Sequence, residues 1–91
     1  MQIERSLPIA FERVEMRSMG SETLVHDAEH HKVHVLNSTA ARILQMCDGT
    51  RDVDEIAGSL SSQTGQPRER VLRDVAGALE VFLDLKLIRY P

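Results

Sequence analysis

The chain has 91 residues, 42% of them hydrophobic and 27% charged, with 11 lysines and arginines against 14 aspartates and glutamates and a formal net charge of −3. A chain this short hides only about 60 to 65% of the surface that its unfolded form exposes, which allows one economical core and argues against a large active-site cavity. The acidic balance speaks against a phosphate backbone as partner, and Phe11, Phe82 and Tyr90 are too few aromatics for a base-stacking platform.

No apolar run approaches the roughly 20 residues needed to cross a bilayer, and the opening MQIERSLPIAFERVEM lacks the continuous apolar core of a signal peptide. The cytoplasm is the default address. Residues 1–11, with Pro8 and no clear period, read as a loosely held arm of a single domain covering 1–91. Arg13 to Met16 and Glu22 to Asp27 alternate in polarity around the turn-forming Ser18-Met19-Gly20-Ser21, which predicts a hairpin. After the polar connection Ala28 to His31, Lys32 to Leu36 reads as a third strand, with Val33 and Val35 on one face and Lys32, His34 and Leu36 on the other.

That strand runs directly into LNSTAARILQMCDG, Leu36 to Gly49. Asn37 is a helix cap, Ala40, Ile43, Leu44 and Cys47 share one side of the helix, and Asp48-Gly49 ends it. Asp52 and Glu55 form a capping-box pattern opening a second helix, Val53 to Ser62. Pro67 opens a third, continuing to about Leu85, whose apolar arc centres on Val71, Val75, Ala78, Leu79 and Phe82. With Leu72, Ala76 and Leu83 on one flank and Val81 and Leu85 on the other, the arc is too wide for one contact surface. Leu87 to Tyr90 is an extended tail. The fold class is therefore α+β: a winged-helix-like domain in which a three-stranded antiparallel β-meander precedes three α-helices.

The residues that carry chemistry elsewhere have plain roles here. His26, His30, His31 and His34 lack a usual zinc spacing and no CxxC is present, so a solvated turn with strand-face histidines is the reading, with no metal and no cofactor. Cys47 on an apolar helix side reads as a buried thiol. Asp52, Asp54 and Glu55 read as capping and dipole residues, and no nucleophile elbow, phosphate loop or dinucleotide fingerprint occurs, so the chain is not read as an enzyme. What remains is shape: an apolar strand face, Val33 and Val35, beside a helix with surplus apolar surface predicts a groove for an extended peptide, unless the two sets simply close on each other.

The run Leu36 to Gly49, followed by Val53-Asp54-Glu55-Ile56 and later by Arg73-Asp74-Val75 and Leu87-Ile88, resembles the PqqD family, named for pyrroloquinoline quinone (PQQ) biosynthesis, over roughly residues 22 to 90. The resemblance implies a peptide chaperone, a recognition element for ribosomally made and modified precursor peptides, in which the leader peptide adds as a strand to Lys32, Val33, His34, Val35 and Leu36. It implies that the leader's apolar side chains rest against Asp74, Gly77, Ala78 and Val81 of the last helix, and that a modifying enzyme, often of the radical S-adenosylmethionine (radical SAM) type, receives the peptide. The first hairpin departs from the quinone pathway's own member, which leaves room for another precursor. Beside the resemblance, Lys32 and Arg70 offer charge to acidic leader residues, whereas Arg73 reads as solvated. An exposed edge strand also permits a homodimer. The alternative is a DNA-binding winged helix, disfavoured by Asp54 and Glu55 on the candidate recognition helix; a third reading is a structural subunit of an enzyme complex.

Overall fold

The computed structural model describes residues 7–90. In chain order the elements are β1 (Ile9–Ala10), β2 (Val14–Met19), β3 (Glu22–Asp27), β4 (Lys32–Asn37), α1 (Ser38–Gln45), α2 (Val53–Thr64), α3 (Arg68–Asp84) and β5 (Ile88–Arg89). β2, β3 and β4 form an antiparallel sheet in that order, and β1 pairs with β5 in a separate antiparallel ribbon. The expected α+β architecture, a meander followed by three helices, is what the chain adopts.

The first hairpin closes through the two-residue turn Gly20-Ser21 between paired Met19 and Glu22, with Gly20 at φ 65° supplying the left-handed backbone that such a turn needs. Register then decides the faces. Thr23, Val25 and Asp27 are buried and stand opposite Leu36, His34 and Lys32, so these six face the helices. Leu24 and His26 stand opposite Val35 and Val33 on the other face.

Local chemistry sets the helix boundaries. Asn37 Oδ1 accepts the Ala40 N–H at 2.8 Å, and Asp52 and Glu55 exchange reciprocal side-chain to backbone bonds, each 2.9 Å, at the start of α2. Past the end of α3, the Leu87 N–H reaches the Phe82 carbonyl at 2.8 Å and the Lys86 N–H the Leu83 carbonyl at 3.0 Å, with Lys86 at φ 61° where a glycine is usual.

Two expectations about boundaries are corrected. α1 ends at Gln45, before Asp48-Gly49; Gly49, at φ 84°, instead donates its N–H to the Pro8 carbonyl at 3.0 Å, while the Ala10 N–H donates to the Cys47 carbonyl at 2.8 Å. A Cβ at Gly49 would come within 3.2 Å of Ile9, so the CDG run clasps the incoming chain rather than merely stopping a helix. Consequently the expected loose arm is pinned from Pro8 onward, and its residues 1–6 lie outside the described residues. On α1 the buried alanine is Ala41, not Ala40.

The core joins Val25 and Leu36 of the sheet to Ile43 and Leu44 of α1, Ile56 and Leu60 of α2, and Val71, Val75, Leu79 and Phe82 of α3. Each large side chain buried there contributes about 1.5 to 3 kcal/mol of apolar transfer. Arg13 ties the far corner together: its Nε donates to Asp27 Oδ1 at 3.1 Å and its Nη2 to the Lys86 carbonyl at 2.8 Å. Asp27, only 1% exposed, also lies 2.7 Å from His30 Nδ1. Burial by itself would raise its pKa, but the hydrogen bonds from His30 and Arg13 outweigh that and hold the carboxyl at about 2. The sequence gives no hint of this network, because Arg13 meets Asp27 only through the strand register.

Candidate binding groove

β4 is an edge strand: β3 lies on one side and, among the described residues, no strand lies on the other. In an antiparallel ladder alternate residues turn both their N–H and C=O outward, so a six-residue edge presents about six backbone groups to a newcomer. β2 is the other edge, with Glu15 and Arg17 exposed along it, and the hollow beside it is lined by sheet residues alone among the described residues. β4 differs in having α3 for company.

α3 runs against the direction of β4. The stretch from Asp74 to Leu85 rises about 16 Å at 1.5 Å per residue, and Lys32 to Asn37 spans about 16 Å at 3.3 Å per residue, so the two walls match in length. At one end a 350 Å³ concavity is lined by Asn37, Thr39, Ala40, Ile43, Asp74 and Ala78. At the other a 130 Å³ concavity is lined by His30, Lys32, His34, Asp84, Leu85 and Lys86. Val81 lines neither concavity, but it lies on the same side of α3 between Ala78 and Leu85 and is 51% exposed, and Leu85 is also exposed. The surplus apolar arc of α3 thus borders two separate concavities beside a free strand edge, with exposed Val81 between them, and together they mark the course of one channel; the two apolar sets do not close on each other.

The sequence-derived residues distribute unevenly over this channel. Lys32, His34, Asp74 and Ala78 line it, and Leu36 lies on the same sheet face but is buried in the core. Arg70 stands at the far mouth, in a 200 Å³ concavity shared with Arg42, Thr64 and Asp74. Gly77 is exposed with no atom within 4 Å of where a Cβ would sit, and it lines neither end of the channel. Val33 and Val35, 58% and 57% exposed, point to the sheet face away from the helices, so the expectation that their side chains stand beside α3 is corrected by the register. Val33 instead borders a separate hollow with Glu15, Arg17, Leu24 and His26.

Asn37, Ala40, Asp84, Leu85 and Lys86 belong to the channel and were missed. Leu85 had a signal, its place on the flank of the wide apolar arc; Lys86 had none, because its position follows from the tight turn after α3. Of the four histidines, only His30 and His34 approach the channel. Among the described residues no three histidine, cysteine, aspartate or glutamate side chains converge as metal ligands. Cys47 is buried, its Sγ–H donates to the Ile43 carbonyl, and burial followed by the nearby Asp48 charge pushes the thiol up to about 12. No helix is long and apolar enough to cross a membrane among the described residues.

Residues 22–88, from β3 to the start of β5, match the family profile of coenzyme PQQ synthesis protein D (PqqD). The chain belongs to the PqqD family. Its PqqD-type region includes every wall of the channel, since β4, α1 and α3 all fall inside the matched span. A relative, the PqqA binding protein of Bradyrhizobium diazoefficiens, is 36% identical over 45 residues, which is 50% of this chain and 44% of that protein; the match spans less than half of that relative's length. Among solved structures, TbiB1 in complex with the TbiA(beta) leader peptide has a TM-score of 0.77 at 16% identity, covering 89% of this chain and 94% of that one. Lasso peptide synthetase B1 complexed with the leader peptide has a TM-score of 0.78 at 18% identity, covering 92% and 99%. At these identities the likeness is one of fold, and it extends over nearly the whole chain.

Proposed function

We propose that this chain is a non-catalytic recognition element, a single cytoplasmic domain that binds the leader segment of a ribosomally made precursor peptide and presents it to a modifying enzyme of the radical SAM type. The peptide adds as a strand to the outer edge of β4 and lays alternate side chains into the channel against α3. The observation that carries this reading is the unpaired edge of β4 running alongside the unburied flank of α3. Membership of the PqqD family supports it, as do the leader peptides named with both structural neighbours.

Backbone pairing supplies strength without sequence demand, at about 0.5 to 1.5 kcal/mol net for each hydrogen bond, and the channel supplies choice. Four or five such bonds and two apolar anchors supply about 5 to 13 kcal/mol gross, so even with an association cost at the low end of about 4 to 15 kcal/mol the binding is no tighter than about micromolar, which suits a carrier that must release its cargo. A second copy pairing β4 to β4 would compete for the same edge, so homodimer and peptide complex exclude each other.

The test is titration of the chain with synthetic leader peptides of ribosomally made precursors, followed by amide chemical shifts. The outward amides of β4 shift, and the same peptide N-methylated at alternate residues no longer binds. Full affinity of the N-methylated peptide would defeat the strand-addition reading.

A further inference from the structure

The two ends of the channel are chemically unlike. The wide end, between α1 and α3, has an apolar floor of Ala40, Ile43 and Ala78 rimmed by the neutral polar side chains of Asn37 and Thr39, with Asp74 as its one formal charge. The narrow end collects basic side chains: Lys32 and His34 from β4, Lys86 from the turn after α3, and His30 from the hairpin connection, against the single carboxylate of Asp84. Neither lysine has an ion-pair partner among the described residues, and Asp84 stands beyond 4.0 Å from both. Beside this end Asp27 and Glu29 share the single guanidinium of Arg13, Glu29 at 3.1 Å, and Asp27 also holds His30, so these carboxylates are directed at Arg13 and His30 rather than at the lysines. With neutral histidines the narrow end therefore carries two free ammonium groups and one carboxylate, in a chain whose overall balance is negative.

Direction and spacing follow from the sheet. All its pairings are antiparallel, and antiparallel addition is the more stable kind, so a peptide on β4 begins near Asn37 and ends near Lys32. Its channel-facing residues lie opposite Leu36, His34 and Lys32, at positions i, i+2 and i+4, because only every second side chain points to one face. The first reaches the small-walled end, and the last reaches Lys32, Leu85 and Lys86.

We propose that the narrow end is a carboxylate subsite: the extended peptide this channel takes carries an aspartate or glutamate four residues after the apolar side chain that fills the wide end. This rests on the strand-addition reading above. Leu85 covers the stem of the acidic side chain while the two lysines meet its head, and Asp84 limits the attraction, which keeps the subsite selective by sign rather than tight.

The experiment is a display selection of random peptides of about 12 residues on the full chain, followed by fluorescence polarisation of an enriched peptide and its Glu→Lys counterpart at the i+4 position. The expected result is an aligned apolar residue with an acid four positions later, and about tenfold weaker binding of the lysine peptide at about 50 mM salt, a gap that narrows at high salt. On Lys32→Glu or Lys86→Glu chains the preference reverses, and on Asp84→Asn it sharpens. Enriched peptides that share apolar positions but show no charge preference at i+4, or the same preference on both charge-reversed chains, would overturn the subsite and leave the channel reading standing. Enrichment of nothing, or of peptides that compete neither with one another nor for β4, would overturn both.

Discussion

Two valines separate the channel from the other face of the sheet, and substituting each by aspartate tests the geometry. Val81 is 51% exposed on the channel flank of α3, so about half of its side-chain burial, about 1 kcal/mol, is left to be gained when a peptide covers it. An aspartate there loses that gain and also leaves a polar group desolvated without a partner, at about 1 to 2 kcal/mol more. The sum, about 2 to 3 kcal/mol, corresponds to roughly 30- to 150-fold weaker binding. Val33, 58% exposed on β4 itself, faces away from α3 beside Leu24 and His26. Val33→Asp adds the same charge to the same chain, but its side chain stays in water, and the expected loss is under about threefold, or roughly 0.6 kcal/mol. Isothermal titration calorimetry of the leader peptide against both variants is the assay, with thermal melts confirming that each remains folded. Equal losses for the two, or no loss at Val81→Asp, would refute the placement of the channel.

Gly77 sits in the interior of α3 with open space around its Cα, so Gly77→Ala should raise unfolding stability by about 0.5 to 1 kcal/mol in urea melts without altering peptide affinity; weakened binding would bring the peptide closer to that helix turn than the channel geometry allows. The Asp27 carboxyl is held at about 2, below its ordinary value near 4, so it stabilises the fold fully above pH 4, and that contribution is lost as the pH falls from about 4 toward 2. Asp27→Asn should lower the urea midpoint near neutrality and flatten its dependence on pH between 2 and 4. With its thiol pushed up to about 12 by burial, Cys47 should react with an aromatic disulfide at pH 8 only as fast as the chain opens, and the full rate should appear in denaturant.

How the parts became legible follows from the range of the interactions that fix them. Helix starts were readable because Asn37 and Asp52 bond within three residues of themselves, and the hairpin because Gly20 provides its own turn. The parity of β4 was not, since the strand carries apolar residues on both faces and a slip of one residue exchanges them. A local clue existed: Leu36 immediately precedes the Asn37 cap, and a residue there packs back onto the fourth helical position, here Ala41. Both are buried, which commits Leu36, and with it His34 and Lys32, to the helix side. By contrast, the clasp of Gly49 on Pro8 and the hold of Arg13 on Asp27 join residues far apart in sequence, and no local pattern encodes them.

The contrast between the two sheet edges bears on why the channel stays open. β2 is guarded in the usual manner, with Glu15 and Arg17 set along it to discourage another strand. β4 has a charge only at its first residue, Lys32: beyond it Val33 and Val35 lie exposed on an edge whose opposite face borders apolar α3 residues, the pattern that invites unwanted pairing. Closing it would take little, a bulkier residue at Ala78 on the helix wall, and that change would leave the core of Val25, Leu36 and Phe82 untouched. An edge so cheaply blocked yet left open is explained by use. A chain whose β4 served only as scaffold would be more soluble with Lys at both valine positions, so Val33→Lys with Val35→Lys should preserve the melt and reduce self-association measured by sedimentation. Peptide affinity should change little in the same variant, because backbone pairing and the α3 wall remain; loss of folding instead would show that the valines hold the sheet and that the open edge needs another explanation.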